Sequence, residues 1–157
     1  MREIKYKALV VKTQLDNLGS NMHLAGVSEY EEMIKVQTIS FDNGKVDYVT
    51  DEDMEEYSFA DNSLKAVVQY TGLKDKNGKE IYEGDIDSDD HNNLFVICYI
   101  EKYGAYCAVP LPLYLHENYE DEVVYQYGYD CYFHNCTPER YINIIGNIYQ
   151  NPELLEG

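Results

Sequence analysis

The 157-residue sequence lacks the features that would place it in a membrane or in the secretory pathway. No apolar run approaches the roughly 18 residues that a membrane-spanning helix needs, and the opening MREIK has no apolar signal-peptide core. Its few cysteines form no C-x-x-C pair, as is typical of a chain kept in a reducing compartment. We therefore expect a cytoplasmic protein with free thiols that pack as small apolar groups, at Cys98, Cys107, Cys131 and Cys136.

The sequence also lacks the motifs that would identify an enzyme. It contains no G-x-S-x-G elbow, no H-E-x-x-H zinc motif, no phosphate-binding loop and no G-x-G-x-x-G fingerprint. Carboxylates are too numerous for any pair of them to indicate acid–base chemistry. A Cys/His pair, such as Cys136 with His134 or His91, stays open as an alternative because such pairs meet in space. We predict no catalytic residue and no cofactor.

Basic residues are scarce, above all in the second half of the chain. The net charge is −17, and residues 80–157 contain 15 acidic residues against only Lys102 and Arg140. A phosphate backbone would be repelled, so we expect no direct contact with nucleic acid. The charge indicates either a solvated face that keeps the protein soluble or a surface that docks a basic protein partner, in the manner of a nucleic-acid mimic.

Tryptophan is absent, whereas tyrosine occurs 17 times, with 12 of the tyrosines beyond residue 80. The even spacing of aromatic residues between Val123 and Phe133 predicts a strand with one aromatic face. Such a face is either a cross-strand packing ladder or a binding surface, since tyrosine offers contact area at low entropy cost. We predict an acidic, tyrosine-rich interaction surface within residues 87–133, with six candidate residues: Tyr125, Tyr127, Tyr129, Asp87, Asp89 and Asp90.

Two groups of residues resemble sets of metal ligands. The segment Asp85–His91 has carboxylates at alternate positions, but an EF-hand loop begun there would need a sixth-position glycine and a twelfth-position glutamate, and it has neither. Cys131, His134 and Cys136 offer three zinc ligands, one fewer than a structural zinc site uses. We predict no metal at either place, with a solvated loop at the first and packed thiols at the second.

Alternating apolar residues predict β-strands along most of the chain. The sequence predicts a strand over Ile4–Val11, a loop over Thr13–Val27 with a helical turn over Ser28–Met33, and a loop or helical turn over Asp51–Asn62. Further strands are predicted over Leu64–Tyr70, Leu94–Tyr99, Ala105–Val109 and Ile142–Ile148. The Asn43-Gly44 pair predicts a tight turn in a β-hairpin over residues 34–50.

The densest stretch runs from Gln69 to Ile86 and reads QYTGLKDKNGKEIYEGDI. We expect Gly72 to end the preceding strand and Asn77-Gly78 to form a turn. Gly84 predicts a tight corner, with the Asp85 carboxylate bonded to backbone N–H groups.

This stretch resembles the signature block of the YopX family of phage and prophage proteins. The opening MREIKYKA and the ending IGNIYQNPELL resemble the corresponding parts of the family, in the same order. The resemblance implies a mainly β fold, an SH3-like small barrel or roll, and no defined activity. Together with the predicted elements, the resemblance predicts a single domain with a β-hairpin extension and a short C-terminal helix. Residues 1–62 would contain the N-terminal strands and the hairpin, and residues 63–157 would contain the barrel core and the C-terminal tail.

The expected function is that of a cytoplasmic phage accessory protein that acts by binding a partner. A self-assembling structural homo-oligomer is the alternative, because barrel edges and tyrosine faces can pair. A hydrolase-type enzyme with a Cys/His or acidic site is a third possibility, which would require a pocket where such groups converge.

Overall fold

The computed structural model describes residues 3–16 and 26–156, apart from the side chains of Asp16 and His134. The protein is mainly β, with 49% strand and 17% helix, and its curled half-barrel sheet and few short helices confirm the predicted class of a small β-barrel or roll. The chain divides into two compact units, an N-terminal unit of Lys5–Val68 and a C-terminal unit of Gln69–Gly157 with Met1–Ile4. The predicted division at residues 62 and 63 stays a prediction.

The N-terminal unit is built from strands. Its strands are β1 (Tyr6–Asp16), β2 (Gly26–Lys35), β3 (Thr38–Asp42), β4 (Lys45–Thr50), β5 (Glu56–Ser58) and the first part of β6 (Leu64–Lys74). β1 lies between β2 and β6, and β4 lies between β3 and β5. Side chains from both groups of strands form one core cluster of Ala8, Val10, Ile34, Val49, Tyr57 and Leu64.

The predicted helical turn over Ser28–Met33 is wrong, because these residues lie in β2. Strands also include Thr13–Asp16 and Gly26–Val27, where the sequence predicts a loop, while residues 17–25 lie outside the described residues. β2 pairs with β1 in an unbroken antiparallel register from Lys7 opposite Lys35 to Asp16 opposite Gly26. Such a ladder satisfies many backbone groups, whereas a single isolated helical turn is costly to nucleate.

The predicted hairpin around Asn43-Gly44 is confirmed. Asn43 and Gly44 have φ values of 51° and 78°, as the turn between β3 and β4 requires. The hairpin begins at Thr38, however, since Ile34 and Lys35 belong to β2. It gains a third strand, β5, within the segment where the sequence predicts a loop or helical turn.

The C-terminal unit contains a four-stranded antiparallel sheet in the order β10-β9-β8-β11. The strands of this sheet are β8 (Asp85–Ser88), β9 (Leu94–Ile100), β10 (Ala105–Pro110) and β11 (Ile144–Asn147). The unit also contains the end of β6, which pairs with β7 (Glu80–Tyr82). Side chains on both faces of β9 pack in the core, because Val96, Cys98 and Ile100 lie in one cluster and Ile97 lies in another. The strands predicted around Leu94 and Ala105 are therefore confirmed, and they form the centre of this unit.

Short helices follow the sheet strands in the C-terminal unit. They are α1 (Leu111–Tyr114), α2 (Tyr119–Tyr127), α3 (Phe133–Cys136), α4 (Pro138–Tyr141) and a terminal 3-10 turn (Pro152–Glu156). The terminal turn confirms the predicted C-terminal helix, and Leu155 packs against the core of this unit. Within the described residues no helix has both the length and the apolar character to traverse a bilayer.

The strand predicted over Val123–Phe133 is wrong, because α2 occupies its first half. Three acidic residues in the first turn favour a helix N-terminus, and Val123 is the fully buried residue that anchors the helix. Gly128, at φ 54°, ends α2. Tyr125 and Tyr127 are therefore separated by about 200° around a helix and do not form a common face with Tyr129.

The two glycines of the central stretch behave differently. The prediction that Gly72 ends its strand is wrong, because β6 continues to Lys74. Gly72 has a φ of 90° and lies where the register between β6 and β7 is irregular. Gly84, at φ 88°, forms the predicted corner. The Tyr82 N–H donates to Oδ2 of Asp85 at 2.8 Å, so the predicted carboxylate bond is confirmed.

Three turns share one design in which an aspartate begins a five-residue loop. In the turns that start at Asp51, Asp75 and Asp89, Oδ1 accepts the backbone N–H groups two and four residues later at 2.8–2.9 Å. The aspartate N–H also donates to the carbonyl four residues later. The fourth residue of each turn has positive φ, and these residues are Met54 at 67°, Gly78 at 81° and Asn92 at 62°.

Replacing Met54 by glycine should stabilise the protein. A left-handed conformation costs a side chain about 1–2 kcal/mol, and Met54 is 69% exposed, so little packing is lost. After the entropy of glycine is subtracted, we expect Met54→Gly to raise the free energy of unfolding by about 0.5–1 kcal/mol. Gly78→Ala is the matched control and should lower it by about 1 kcal/mol, because φ is positive there although space is free. Urea unfolding measures both, and a destabilised Met54→Gly would contradict the shared design.

Candidate functional site

Three of the six candidate residues line one cavity, which we call the acidic pocket. Asp87, Asp89 and Tyr127 border a cavity of about 270 Å³ in the C-terminal unit. Asp90, Tyr125 and Tyr129 do not line it, and the two tyrosines are exposed to 87% and 68%. The proposed interaction surface as a whole stays a prediction, and the acidic pocket is the part of it that has a defined geometry.

The acidic pocket has apolar walls and an acidic border. Phe95, Ala108, Pro110 and Ile142 supply apolar surface, and Asp130 adds a third carboxylate. Tyr141, Cys131 and Cys136 complete the lining. None of the described lining residues is a lysine, an arginine or a histidine. Sequence reasoning missed the walls because they come from strands and helices separated by up to about 55 residues, and no local pattern joins them.

Asp87 carries an unusual buried charge. It is 6% exposed, and its Oδ1 accepts the Asn143 N–H at 2.7 Å. Burial raises the pKa of Asp87 to about 6, with a smaller contribution from the neighbouring charge of Asp89, while the Asn143 bond opposes the rise. At neutral pH this carboxyl is therefore mostly ionised, although one backbone bond is its only hydrogen bond within the described part of the chain.

Asp89 borders the same pocket and also closes a turn. Its carboxylate accepts N–H groups of His91 and Asn93 as the first residue of its turn, and the Asn93 amide adds a bond at 3.1 Å. Desolvation works against the charged form, but the bonds from Asn93 and His91 outweigh it and lower the pKa of Asp89. The pocket border is thus anionic over the whole physiological range.

The cysteines are free thiols, as predicted. A hydrogen bond from Cys107 lowers the pKa of Cys131, whereas that bond and burial raise the pKa of Cys107. Burial also raises the pKa of Cys136, and it raises the pKa of Cys98 to about 12. Three of the four thiols are therefore poor nucleophiles at neutral pH.

No catalytic pair or metal group is assembled from the residues that the structure describes. His91 and His116 are exposed, and neither lines the acidic pocket beside Cys136. Among described residues no three His, Cys, Asp or Glu side chains are placed to hold a metal ion. The side chain of His134 lies outside the described residues, so the alternative zinc set of Cys131, His134 and Cys136 stays untested.

Asp87→Asn should stabilise the protein at neutral pH. The folded-state pKa of about 6 lies above the unfolded value of about 3.9, so the stabilising contribution is complete below about pH 4 and is lost as the pH rises through 6. Asparagine keeps a hydrogen-bond acceptor and does not ionise, so its contribution does not fall with rising pH. The difference between the folded and unfolded pKa values of Asp87 corresponds to at most about 3 kcal/mol in favour of the variant at about pH 7.5. Urea unfolding of both proteins from about pH 4 to 7.5 measures the difference, which should vanish at the acidic end. A variant that is less stable at neutral pH would show that the charge is favourably held.

Comparisons with known proteins give a family match and a similar solved structure. The chain is similar to the protein of a crystal structure described as protein EF1440 from Enterococcus faecalis, with 23% identity over 99% of each chain and a TM-score of 0.48. A search of curated proteins gave no match. The model of the family described as YopX protein matches residues 19–156, which is nearly the whole chain. This chain therefore belongs to the YopX family.

Proposed function

We propose that this protein is a non-catalytic binding module whose acidic pocket accepts a lysine or arginine side chain from a basic protein partner. The observation that supports this function best is the ionised carboxyl of Asp87, a buried residue that lines a pocket with apolar walls and no cation among its described lining residues. A buried charge with a perturbed pKa in a cavity is a physical indication of a binding site.

The pocket complements both parts of a long basic side chain. An aliphatic stem would lie against Phe95, Pro110 and Ile142, while the charged head would meet Asp87 and Asp130. The ring of Tyr127 offers a cation–π contact at the border. The attraction of a cation there would offset the desolvation cost of Asp87, which the unbound protein bears.

The biological setting of the proposal comes from the family. The YopX family is one of phage and prophage proteins, so we infer that this chain is a phage-encoded accessory protein. It would work in the cytoplasm of a bacterial host and bind a basic protein there. The net charge of −17 supports this direction, since it speeds encounter with a basic partner and disfavours nucleic acid.

A defined peptide tests the function even while the natural partner is unidentified. A fluorescent peptide with one arginine between leucines should bind the wild type, and its citrulline counterpart should bind at least about tenfold more weakly because the charge pair is lost. Asp87→Asn should weaken binding of the arginine peptide by about tenfold even though it stabilises the fold. Asp42→Asn removes the same charge from the exposed end of β3, which does not line the pocket, and is the matched control.

Fluorescence anisotropy at low salt and at about 0.5 M salt completes the test, because salt screens charge pairs at a border more than buried ones. Equal binding of the arginine and citrulline peptides, or equal losses in Asp87→Asn and Asp42→Asn, would contradict the proposal. Light scattering on the same samples addresses self-assembly through the exposed ring of Tyr125. A stable oligomer that Tyr125→Ser dissolves would favour the structural alternative.

A further inference from the structure

A second cavity lies at the Glu83-Gly84 corner of the C-terminal unit, and we call it the tyrosine cavity. It has a volume of about 300 Å³, within the range of small-ligand sites, and shares no lining residue with the acidic pocket. Its lining includes both the end of the central YopX-like stretch and the C-terminal YopX-like stretch, through Gly84 and Tyr149. The two cavities are therefore separate candidate sites.

Backbone bonds and one glycine fix the base of the tyrosine cavity. The Gly84 N–H donates to the Ile97 carbonyl at 2.8 Å, and the Ile148 N–H donates to the Gly84 carbonyl at 2.9 Å. A Cβ at Gly84 would lie 3.0 Å from Cε2 of Tyr149, so a side chain there would push the ring away. The glycine thus holds the Tyr149 ring next to Glu83.

Two further rings form the opposite wall. Tyr114 at the end of α1 and Tyr119 at the start of α2 have ring centroids 5.1 Å apart and planes at 43°. Both rings line the same cavity as Tyr149. With Tyr99 of β9, four tyrosines from four separate segments therefore line one small volume.

The charge of the tyrosine cavity has one sign. Glu83, Glu101 and Glu120 line it, and none of its described lining residues is basic. Burial raises the pKa of Glu83. Burial raises the pKa of Tyr119 and Tyr149 as well, and negative charge adds to both shifts, from Glu120 and then Glu83 at Tyr119 and from Glu83 at Tyr149. The phenols are neutral at physiological pH, and the lining carboxylates disfavour an anionic ligand.

We propose that the tyrosine cavity binds a small organic ammonium ion, with its charged head between the Glu83 carboxylate and the faces of the tyrosine rings. Aromatic faces attract cations through the ring quadrupole, and aromatic cages are the usual recognition device for ammonium groups. The carboxylate supplies the countercharge, and the apolar side chains of Val96 and Ile148 supply surface for the carbon next to the nitrogen.

An adjoining groove indicates what could be attached to the ammonium group of the ligand. This groove has a volume of about 560 Å³ and shares Glu83 and Tyr99 with the tyrosine cavity. Beyond Tyr99 its wall is aromatic, with Tyr99 and Tyr106 edge to face at 5.3 Å and Tyr106 stacked on Phe133 at 6.2 Å. An ammonium ion with an aryl tail would place its head in the cavity and its tail along Tyr99, so arylalkyl ammonium ions fit best.

Proton and carbon NMR titration of the tyrosine rings tests the site directly. Phenethylammonium should shift the ring signals of Tyr114, Tyr119 and Tyr149, and the neutral analogue 2-phenylethanol should bind at least about tenfold more weakly because it lacks the charge. Glu83→Gln should weaken phenethylammonium binding by about tenfold. Tyr99→Ala, at a 43% exposed position, should weaken phenethylammonium binding more than methylammonium binding, because the aryl tail lies along this ring.

The controls separate this site from the acidic pocket. Asp42 lines neither cavity, so Asp42→Asn should leave the phenethylammonium-induced shifts of the Tyr114, Tyr119 and Tyr149 rings unchanged. These rings line the tyrosine cavity and not the acidic pocket, so failure of one proposal does not decide the other. A capped lysine that binds the same rings as tightly as phenethylammonium would support the ammonium site and identify a protein side chain as its source. Equal affinity of the wild type for phenethylammonium and 2-phenylethanol would overturn the proposal, and this comparison does not depend on any variant folding. Binding that survives Glu83→Gln unchanged would overturn it as well.

Discussion

Both units of this protein depend on carboxylates that turn inward onto backbone N–H groups. Asp51 closes a turn in the N-terminal unit, and Asp75 and Asp89 close the same kind of turn in the C-terminal unit. Asp75 goes further, since its Oδ2 accepts the Ile144 N–H at 3.0 Å and so joins its turn to β11, 69 residues later in the chain. In an acidic chain with few basic residues, backbone amides take the place of lysine and arginine as partners of buried carboxylates.

Backbone N–H donors oppose the rise in pKa that burial causes in a carboxylate. Asp75 is 3% exposed, and burial alone would raise its pKa, but N–H groups of Ile144, Lys79 and Asn77 outweigh burial and lower it. Asp87 is 6% exposed with a single backbone donor, so burial prevails and its pKa rises. The pKa shifts of these two aspartates thus have opposite signs. The first is a structural anion, and the second is a charge that the unbound fold leaves poorly compensated.

This contrast explains why the acidic character of the sequence is only partly informative. By composition alone, the aspartates between residues 85 and 91 suggest a solvated loop. In the structure Asp85 and Asp87 are buried, Asp89 closes a turn, and only Asp90 is exposed. A local signal for the turn exists, since each aspartate precedes by three positions a residue at positive φ, and Gly78 and Asn92 are suited to that conformation. Met54 is not, so the third copy could not have been found from sequence.

Local rules predicted the parts of the fold that depend on neighbouring residues. The Asn43-Gly44 and Asn77-Gly78 turns, the Gly84 corner and the apolar strand at Leu94 follow from backbone freedom and period-two alternation. Long-range pairing overrode the local pattern at Ser28, which joined the β1–β2 ladder. The even aromatic spacing after Val123 predicted a strand, but one deeply buried valine and an acidic first turn suit a helix better, and periodicity does not report which positions will be buried.

The candidate sites were less predictable than the fold, for a physical reason. The acidic pocket combines side chains from β8, β9, β10 and three of the short helices, and the tyrosine cavity combines side chains from the Gly84 corner, β9, α1, α2 and the segment after β11. Their membership depends on long-range packing rather than on sequence spacing. Composition pointed to tyrosine and carboxylate as the working groups, and both cavities use them. It could not distinguish exposed Tyr125 from Tyr119 and Tyr149, which are partly buried beside Glu83.

Hydrogen exchange at three amides tests the central claim most directly. If the Asp75 carboxylate organises both its own turn and the attachment of β11, then in Asp75→Ala the amides of Asn77, Lys79 and Ile144 should lose protection together, while Asp53 and Glu55 in the equivalent turn of the N-terminal unit keep theirs. Unchanged protection at Ile144 in that variant would contradict the account, because it would show that β11 is held without the carboxylate.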